Sequence, residues 1–111
     1  MARILVTGGA GFLGSHLCDL LLGQGHQLTC LDDFSTGSES NLAQAKVSAN
    51  FQLQRGDVTL PLSGGYDRIY HLACPASPVA YRRDPVRTLL VATLGTLRVL
   101  ELARDCKARV L

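Results

Sequence analysis

The sequence predicts an α/β fold, a doubly wound parallel sheet with strands in the order 3-2-1-4-5. Three observations carry that expectation. Short apolar runs alternate with stretches of helical apolar spacing along the chain. A glycine triplet, Gly8, Gly11 and Gly14, stands between the first apolar run and the first helical stretch. An acidic pair, Asp32-Asp33, closes the second apolar run about 20 residues further on.

Residues 3 to 7 read as a buried strand, and Gly11 to about Leu22 as a helix, with Phe12, Leu13, Leu17, Leu20 and Leu21 recurring at three and four. Gly23 and Gly25 end it. At the turn between them Gly8 allows the sharp exit from the strand, and Gly11 lets a phosphate approach the backbone with no Cβ in the way. Gly14 lets the helix lie close on the sheet. The helix start, with its exposed N–H groups and positive dipole end, then forms an anion site. An ordinary Gly-rich turn is the bland alternative, and strand before, helix after and acid at the next strand end argue against it.

Gln27-Leu28-Thr29-Cys30-Leu31 is the second strand. Asp32 can accept hydrogen bonds from both hydroxyls of an adenosine ribose, whereas a 2′-phosphate there would meet like charge, so NAD is favoured over NADP. In the loop that follows, the small hydroxyls of Ser35 and Thr36 can touch the adenosine or cap a helix, and a short helix from Glu39 to Ala45 is expected. Phe51-Gln52-Leu53-Gln54 alternates as a third strand, ended by Gly56-Asp57-Val58. Asp57 and Val58 can flank an adenine, the acid accepting from its amine; a turn cap is an equally good use of Asp57.

Arg68 to Cys74 reads as a fourth strand, followed by Pro75-Ala76-Ser77-Pro78 at the carboxyl edge, where open α/β sheets place ligands. His71 in that strand reads as a satisfied core histidine. Tyr81 and Arg82-Arg83 can reach a phosphate or carboxylate from the next loop, or simply be solvated. Asp84-Pro85 is a helix start. Val86, Leu89, Leu90, Thr93, Leu94, Leu97, Leu100 and Leu102 then offer a broad apolar face along one helix to Arg104 or Asp105, with close packing expected at Gly95. Ala108 to Leu111 opens a fifth strand. The succession is that of the first half of a Rossmann domain.

Composition narrows the function classes. The 111 residues suffice for one domain, 47% are hydrophobic, and a net charge of +2 with only Arg82 and Arg83 adjacent argues against nucleic-acid binding. Apolar runs fall short of the ~20 residues of a membrane helix, and the start of the chain is already strand, so a soluble, cytoplasmic protein is expected. Cys18, Cys30, Cys74 and Cys106 form no C-x-x-C pair; reduced thiols and no metal site are expected. Cys74, just past a strand end, would need a nearby base to act as a nucleophile, and the sequence shows none.

Thr7-Gly8-Gly9-Ala10-Gly11-Phe12-Leu13-Gly14 resembles the TGxxGxxG fingerprint of the extended short-chain dehydrogenase/reductase family, NAD-dependent epimerases and dehydratases that act largely on nucleotide sugars. Asp32 to Gly37, Gly56-Asp57-Val58 and above all Tyr70-His71-Leu72-Ala73-Cys74-Pro75-Ala76-Ser77-Pro78 look like its UDP-glucuronate decarboxylase branch, and the similarity runs over nearly the whole chain. The resemblance implies NAD, with its pyrophosphate on Gly8, Gly11, Phe12 and Leu13, its ribose on Asp32, Asp33, Ser35 and Thr36, and its adenine on Asp57 and Val58. Leu72, Ala73 and Cys74 would line the path toward nicotinamide. Leu62, Ser63 and the Pro75 to Tyr81 loop, with Ser77 and Tyr81, correspond to places where the family meets the UDP-sugar. The implied chemistry oxidises C4 of glucuronate to a ketone, after which the β-keto acid loses carbon dioxide and the hydride returns. The complete family members are expected to be homodimers.

Two departures stand out. Leu90-Val91-Ala92 replaces the family's Lys-Thr-Asn ahead of Gly95-Thr96, losing a cation and an amide. The family's Tyr-x-x-x-Lys acid-base pair follows the fifth strand, and Tyr66, Tyr70 and Tyr81 have no lysine four residues on. The expectation is therefore an N-terminal, NAD-binding fragment that is inactive alone and lacks the substrate domain; a stand-alone NAD-binding module and a fragment of a related epimerase or dehydratase are the alternatives. A half-sheet with open edges is expected to fold marginally or self-associate. Thermal unfolding with sedimentation checks this, and a cooperative transition of a monomer would count against it.

Overall fold

Ile4-Leu5-Val6 is apolar at consecutive positions because both faces of the strand are covered, the pattern of a central parallel strand. The computed structural model describes residues 1–74 and 78–111, apart from the side chains of Ala80 and Tyr81. It has five parallel strands, β1 (Arg3–Thr7), β2 (Gln27–Asp32), β3 (Phe51–Arg55), β4 (Arg68–His71) and β5 (Arg109–Val110). They pair in the order β3-β2-β1-β4-β5 expected from the sequence, with registers that set Arg3 opposite Gln27 and Thr7 opposite both Leu31 and His71.

Alternation along the strands divides the core in two. Ile4, Val6, Leu28 and Cys30 pack with Cys18 and Leu21 of helix α1 (Phe12–Gly23). Leu5, Leu31 and Ile69 face the other way, onto Val91, Val99 and Leu102 of the helical segment after β4. The radius of gyration, 13.2 Å, is that of a folded domain of this length. Contact with Cys30 and burial push the Cys18 thiol up, so it serves the core as a protonated small hydrophobe.

The structure departs from the sequence expectations at four places. β4 stops at His71, because its partner β1 ends at Thr7; Leu72 to Cys74 continue as an irregular exit. The helix expected over Glu39 to Ala45 is two short 3-10 turns, Glu39–Leu42 and Ala45–Val47, each with a single inward residue, Leu42 and Ala45. A further short helix, α2 (Pro78–Arg83), precedes Asp84.

The long helix is the fourth. It runs as α3 (Pro85–Leu90), a π-helical turn over Val91–Gly95, and α4 (Thr96–Cys106). Asp84 caps it, its carboxylate accepting from the Arg87 N–H at 3.0 Å. Of the expected apolar face only Leu102 is fully buried. Val86, Leu89, Leu90, Leu97 and Leu100 are exposed, and the face on the sheet is Val91, Gly95, Val99, Leu102 and Ala103. Two apolar stripes share this helix, and spacing alone does not say which one meets the sheet.

The first turn sets how closely everything else packs. Gly8 has φ +74°, and a Cβ there would come within 2.7 Å of the Leu72 carbonyl carbon. A Cβ on Gly14 would run into the Gly8 carbonyl oxygen and lie 2.8 Å from the Gly9 Cα, so α1 rests backbone to backbone on the turn. Gly14→Ala is expected to cost at least ~2 kcal/mol of stability. Gly23→Ala, on the same helix with nothing within 4 Å, is expected to add ~0.5–1 kcal/mol. Paired chemical denaturation curves check both, and equal effects of the two substitutions would refute the packing account.

Candidate functional site

The fingerprint turn ends in a helix start with no side-chain cap and no acidic residue in its first turn. Gly11 is the N-cap in extended backbone, and the nearest atom to a Cβ there would be the Gly8 oxygen at 3.4 Å. The first N–H groups of α1 therefore point into open space together with the positive end of the helix dipole, which is the requirement for binding an anion.

Asp32 sits beside this cradle, only 8% exposed. Its Oδ2 accepts the Ala10 N–H at 2.9 Å and its Oδ1 the Phe34 N–H at 2.8 Å. Phe34 takes a left-handed φ of +61° to make that bond, and the Arg55 guanidinium lies 4.2 Å over its ring. The Ala10 carbonyl in turn accepts from the Ser38 N–H at 3.1 Å and from the Asn41 side-chain amide at 2.9 Å. Turn and loop are thus fastened to each other through Asp32 and Ala10, and Ser35 and Thr36 are held beside the carboxylate.

A cavity of about 560 Å³ opens at the carboxyl edge of the sheet. The first turn contributes Gly8, Gly11, Phe12, Leu13 and Gly14, and the end of β2 contributes Asp32, Asp33, Ser35 and Thr36. Val58 borders it from beyond β3, and Leu72, Ala73 and Cys74 from beyond β4. Thirteen of the cofactor residues expected from the sequence are thereby brought together around one space.

Asp57 is the exception. It does not border the cavity, and its Oδ1 accepts from Arg87 Nη2 at 2.8 Å, the Thr59 N–H at 2.9 Å and Thr59 Oγ1 at 2.7 Å. The Arg87 hydrogen bond, helped by Thr59, holds the Asp57 carboxyl down at about 2. Arg87 Nη2 also lies 3.6 Å from Asp33 Oδ2, and its side chain borders the cavity. Gly37, Gly56 and Val91, which belong to runs singled out in the sequence without a role of their own, and Leu31 also border the space, whereas no sequence pattern points to Arg87. Arg87 has a partial signal, three residues after a capping acid, but nothing local says that it reaches the ends of β2 and β3.

The substrate-side residues are not gathered there. Leu62 packs on the second core cluster, Ser63 is exposed, and neither borders the cavity. Ser77 and the side chain of Tyr81 lie outside the described residues. Of the Leu90-Val91-Ala92 departure, Val91 borders the cavity while Leu90 and Ala92 are exposed.

His71 is satisfied at both ring nitrogens, which lie 2.7 Å from Thr7 Oγ1 and 3.3 Å from Thr96 Oγ1. Thr7 Oγ1 already accepts the Leu72 and Ala73 N–H groups, so its own proton goes to His71 Nδ1 and leaves Nε2 as the donor to Thr96. The Thr96 hydroxyl in turn donates to the Ala92 carbonyl at 2.6 Å. Burial pushes the His71 imidazole pKa down, in keeping with a neutral ring. This chain of bonds positions the exit of β4 against the fingerprint turn. Cys74 is exposed at the cavity border. The arrangement can hold an anion and a diol-bearing group side by side; among the described residues it assembles no acid-base pair.

The sequence profile of the NAD dependent epimerase/dehydratase family matches residues 4–111. UDP-glucuronic acid decarboxylase 1 of Arabidopsis thaliana is 50% identical over 109 residues, 98% of this chain and 25% of the relative. The Thermus thermophilus UDP-glucose 4-epimerase, solved in complex with NAD, superposes with TM-score 0.76 at 32% identity over 96% of this chain and 35% of its own. Bordetella bronchiseptica WbmG, also solved with NAD, gives 0.85 at 28% identity over 98% and 36%. The chain thus spans about a quarter of the curated relative and about a third of the solved structures.

The Asp57–Arg87 pair gives a test in acid. Because the folded-state pKa of Asp57 is depressed, its contribution is complete above the unfolded value near ~4 and is lost as pH falls toward about 2. The pair is a third exposed, which reduces that contribution to about 1 kcal/mol. Urea unfolding between pH 5 and 2 should show a shallower acid decline for Asp57→Asn than for the unaltered chain; parallel profiles would discount the pair.

Proposed function

The chain belongs to the NAD dependent epimerase/dehydratase family, and from that membership we propose that it is the dinucleotide-binding part of an enzyme of the UDP-glucuronate decarboxylase kind. The proposal covers conversion of UDP-glucuronate to UDP-xylose and carbon dioxide by the complete enzyme, as a cytoplasmic homodimer, and binding of NAD by the 111 residues themselves. The observation that carries the binding reading is the open start of α1 and the Asp32 carboxylate bordering one cavity.

The residues fit the cofactor in charge and in hydrogen-bonding capacity. Asp32 gives one lone pair of each oxygen to Ala10 and Phe34, and a carboxylate has roughly four acceptor positions, so one on each oxygen remains for the two ribose hydroxyls. A 2′-phosphate would instead meet Asp32 and Asp33. The pyrophosphate would lie on the N–H groups after Gly11, where no side chain intervenes. Leu72, Ala73 and Cys74, fixed by the Thr7 and His71 bonds, would border the nicotinamide side. Bound NAD supplies a hydride acceptor that later returns the hydride, so product leaves at the oxidation level of substrate apart from the lost carboxylate.

The decarboxylase reading is supported by the 50% identity to the Arabidopsis enzyme and by the run Ala73-Cys74-Pro75-Ala76-Ser77-Pro78. The acid-base tyrosine and lysine, and the substrate domain, are assigned to parts of the complete enzyme outside these 111 residues, since no tyrosine here has a lysine four residues on.

Calorimetric titration of the chain should give micromolar NAD binding and much weaker NADP binding, with no UDP-xylose formed from UDP-glucuronate. Asp32→Asn, which keeps one acceptor oxygen, should weaken NAD about tenfold, or ~1.4 kcal/mol. Equal affinity for the two dinucleotides would overturn the ribose assignment, and turnover by the isolated chain would overturn the assignment of catalysis elsewhere.

A further inference from the structure

Arg87 belongs to the segment that follows β4, yet its guanidinium is engaged by groups that follow β2 and β3. In the sheet order those strands lie on the opposite side of β1 from β4. The side chain therefore spans the point where the chain reverses its winding direction, which is where open α/β sheets take their ligands. It is also the only cationic side chain among the described residues bordering the cavity.

We propose that Arg87 is a cofactor-positioning residue, a strut that fixes the ends of β2 and β3 relative to each other and so shapes the adenosine half of the cavity. Asp33 carries one side of that half and is tied at both oxygens, Oδ1 to the Ser35 N–H at 2.9 Å and Oδ2 to Arg87 at 3.6 Å. Asp57 fixes the loop that presents Val58 on the other side, and Arg87 Nη2 meets it at 2.8 Å. Without the guanidinium, the Asp33 and Asp57 carboxylates, which now share its Nη2, would lie near each other with no cation between them. The first turn, which meets the rest of a dinucleotide, is held by Asp32, Ser38 and Asn41 rather than by Arg87.

A neighbouring contact separates this role from general stability. Arg98 on α4 donates from Nε to the Thr59 carbonyl at 3.2 Å, so it ties the same loop to the same helical segment, but it does not border the cavity. The proposal rests on the reading that the cavity takes NAD.

The test measures binding of NAD, AMP and NMN to the 111-residue chain by NMR titration, in the unaltered form and as Arg87→Met, Arg87→Lys and Arg98→Met. Arg87→Met should weaken NAD and AMP about fivefold while leaving NMN unchanged. Arg87→Lys, a point charge without the planar fork, should recover part of the loss. Arg98→Met should lower the melting temperature and leave AMP binding intact. Should Arg87→Met fail to fold, the ratio of AMP to NMN affinity in Arg87→Lys decides, and a ratio equal to that of the unaltered chain overturns the strut. So does an equal loss for AMP and NMN, or an Arg98→Met loss for AMP as large as that of Arg87→Met. Failure of the unaltered chain to bind NAD or AMP overturns the NAD reading, and the strut with it; normal binding that is indifferent to Arg87→Met overturns the strut alone.

Discussion

Between β1 and α1 the chain turns with backbone packed on backbone, and this contact depends on side chains that are not there. Gly8 lies against the Leu72–Ala73 peptide and Gly14 against the Gly8 carbonyl, at distances no Cβ would tolerate. With the turn seated so deeply, the Thr7 hydroxyl reaches the Leu72 and Ala73 N–H groups, and the Ala10 N–H and carbonyl reach Asp32, Ser38 and Asn41. One short segment thereby fixes the exits of the strands on both sides of it. Packing and site geometry are here a single arrangement.

The division of electrostatic labour follows from the same arrangement. Negative charge on a ligand is met by uncharged N–H donors and a helix dipole, which need no counter-ion and are oriented before the ligand arrives. The full negative charges at the site, on Asp32 and Asp33, border the same cavity and suit a neutral, hydroxyl-bearing group. The full positive charge, on Arg87, is engaged by carboxylates of the protein. A fixed cation beside the cradle would bind phosphate groups of many kinds; the present arrangement favours a phosphate attached to a diol.

Much of this was legible in the chain because it is local. The glycine spacing, the acid about 20 residues on and the Asp84-Pro85 cap are short-range patterns with a mechanical meaning, and the strand order follows from short right-handed connections. What was not legible is tertiary. The tie between Arg87 and Asp57 joins residues 30 apart in sequence, and periodicity carries no information about it. Asp57 read equally well as an adenine contact or a turn cap because it sits at a strand end; its Oδ1 accepts from Thr59 within the turn and also from Arg87, a partner from a different element that no local pattern announces. Leu89, Leu97 and Leu100 looked like core because apolar spacing identifies a stripe without identifying its neighbour. The 3-10 turns after Ser38 escaped because they bury so few residues that no period develops.

The π-helical turn at Val91–Gly95 acts as a phase adjustment in the helix that carries it. In a regular α-helix each residue advances the direction of the side chains by ~100°, and a π turn accommodates one residue more than an α turn over nearly the same length. Arg87 at one end can therefore face the strand exits while Val99, Leu102 and Ala103 at the other face the sheet, although no uninterrupted α-helix of this sequence would aim both sets so. The segment works as a coupling between two rotational settings. One setting belongs to the cavity and the other to the core, and the extra residue is what reconciles them: a single deletion within the turn would leave an ordinary α turn with both ends aimed as before, whereas a deletion in the α-helical stretch on either side would turn one against the other.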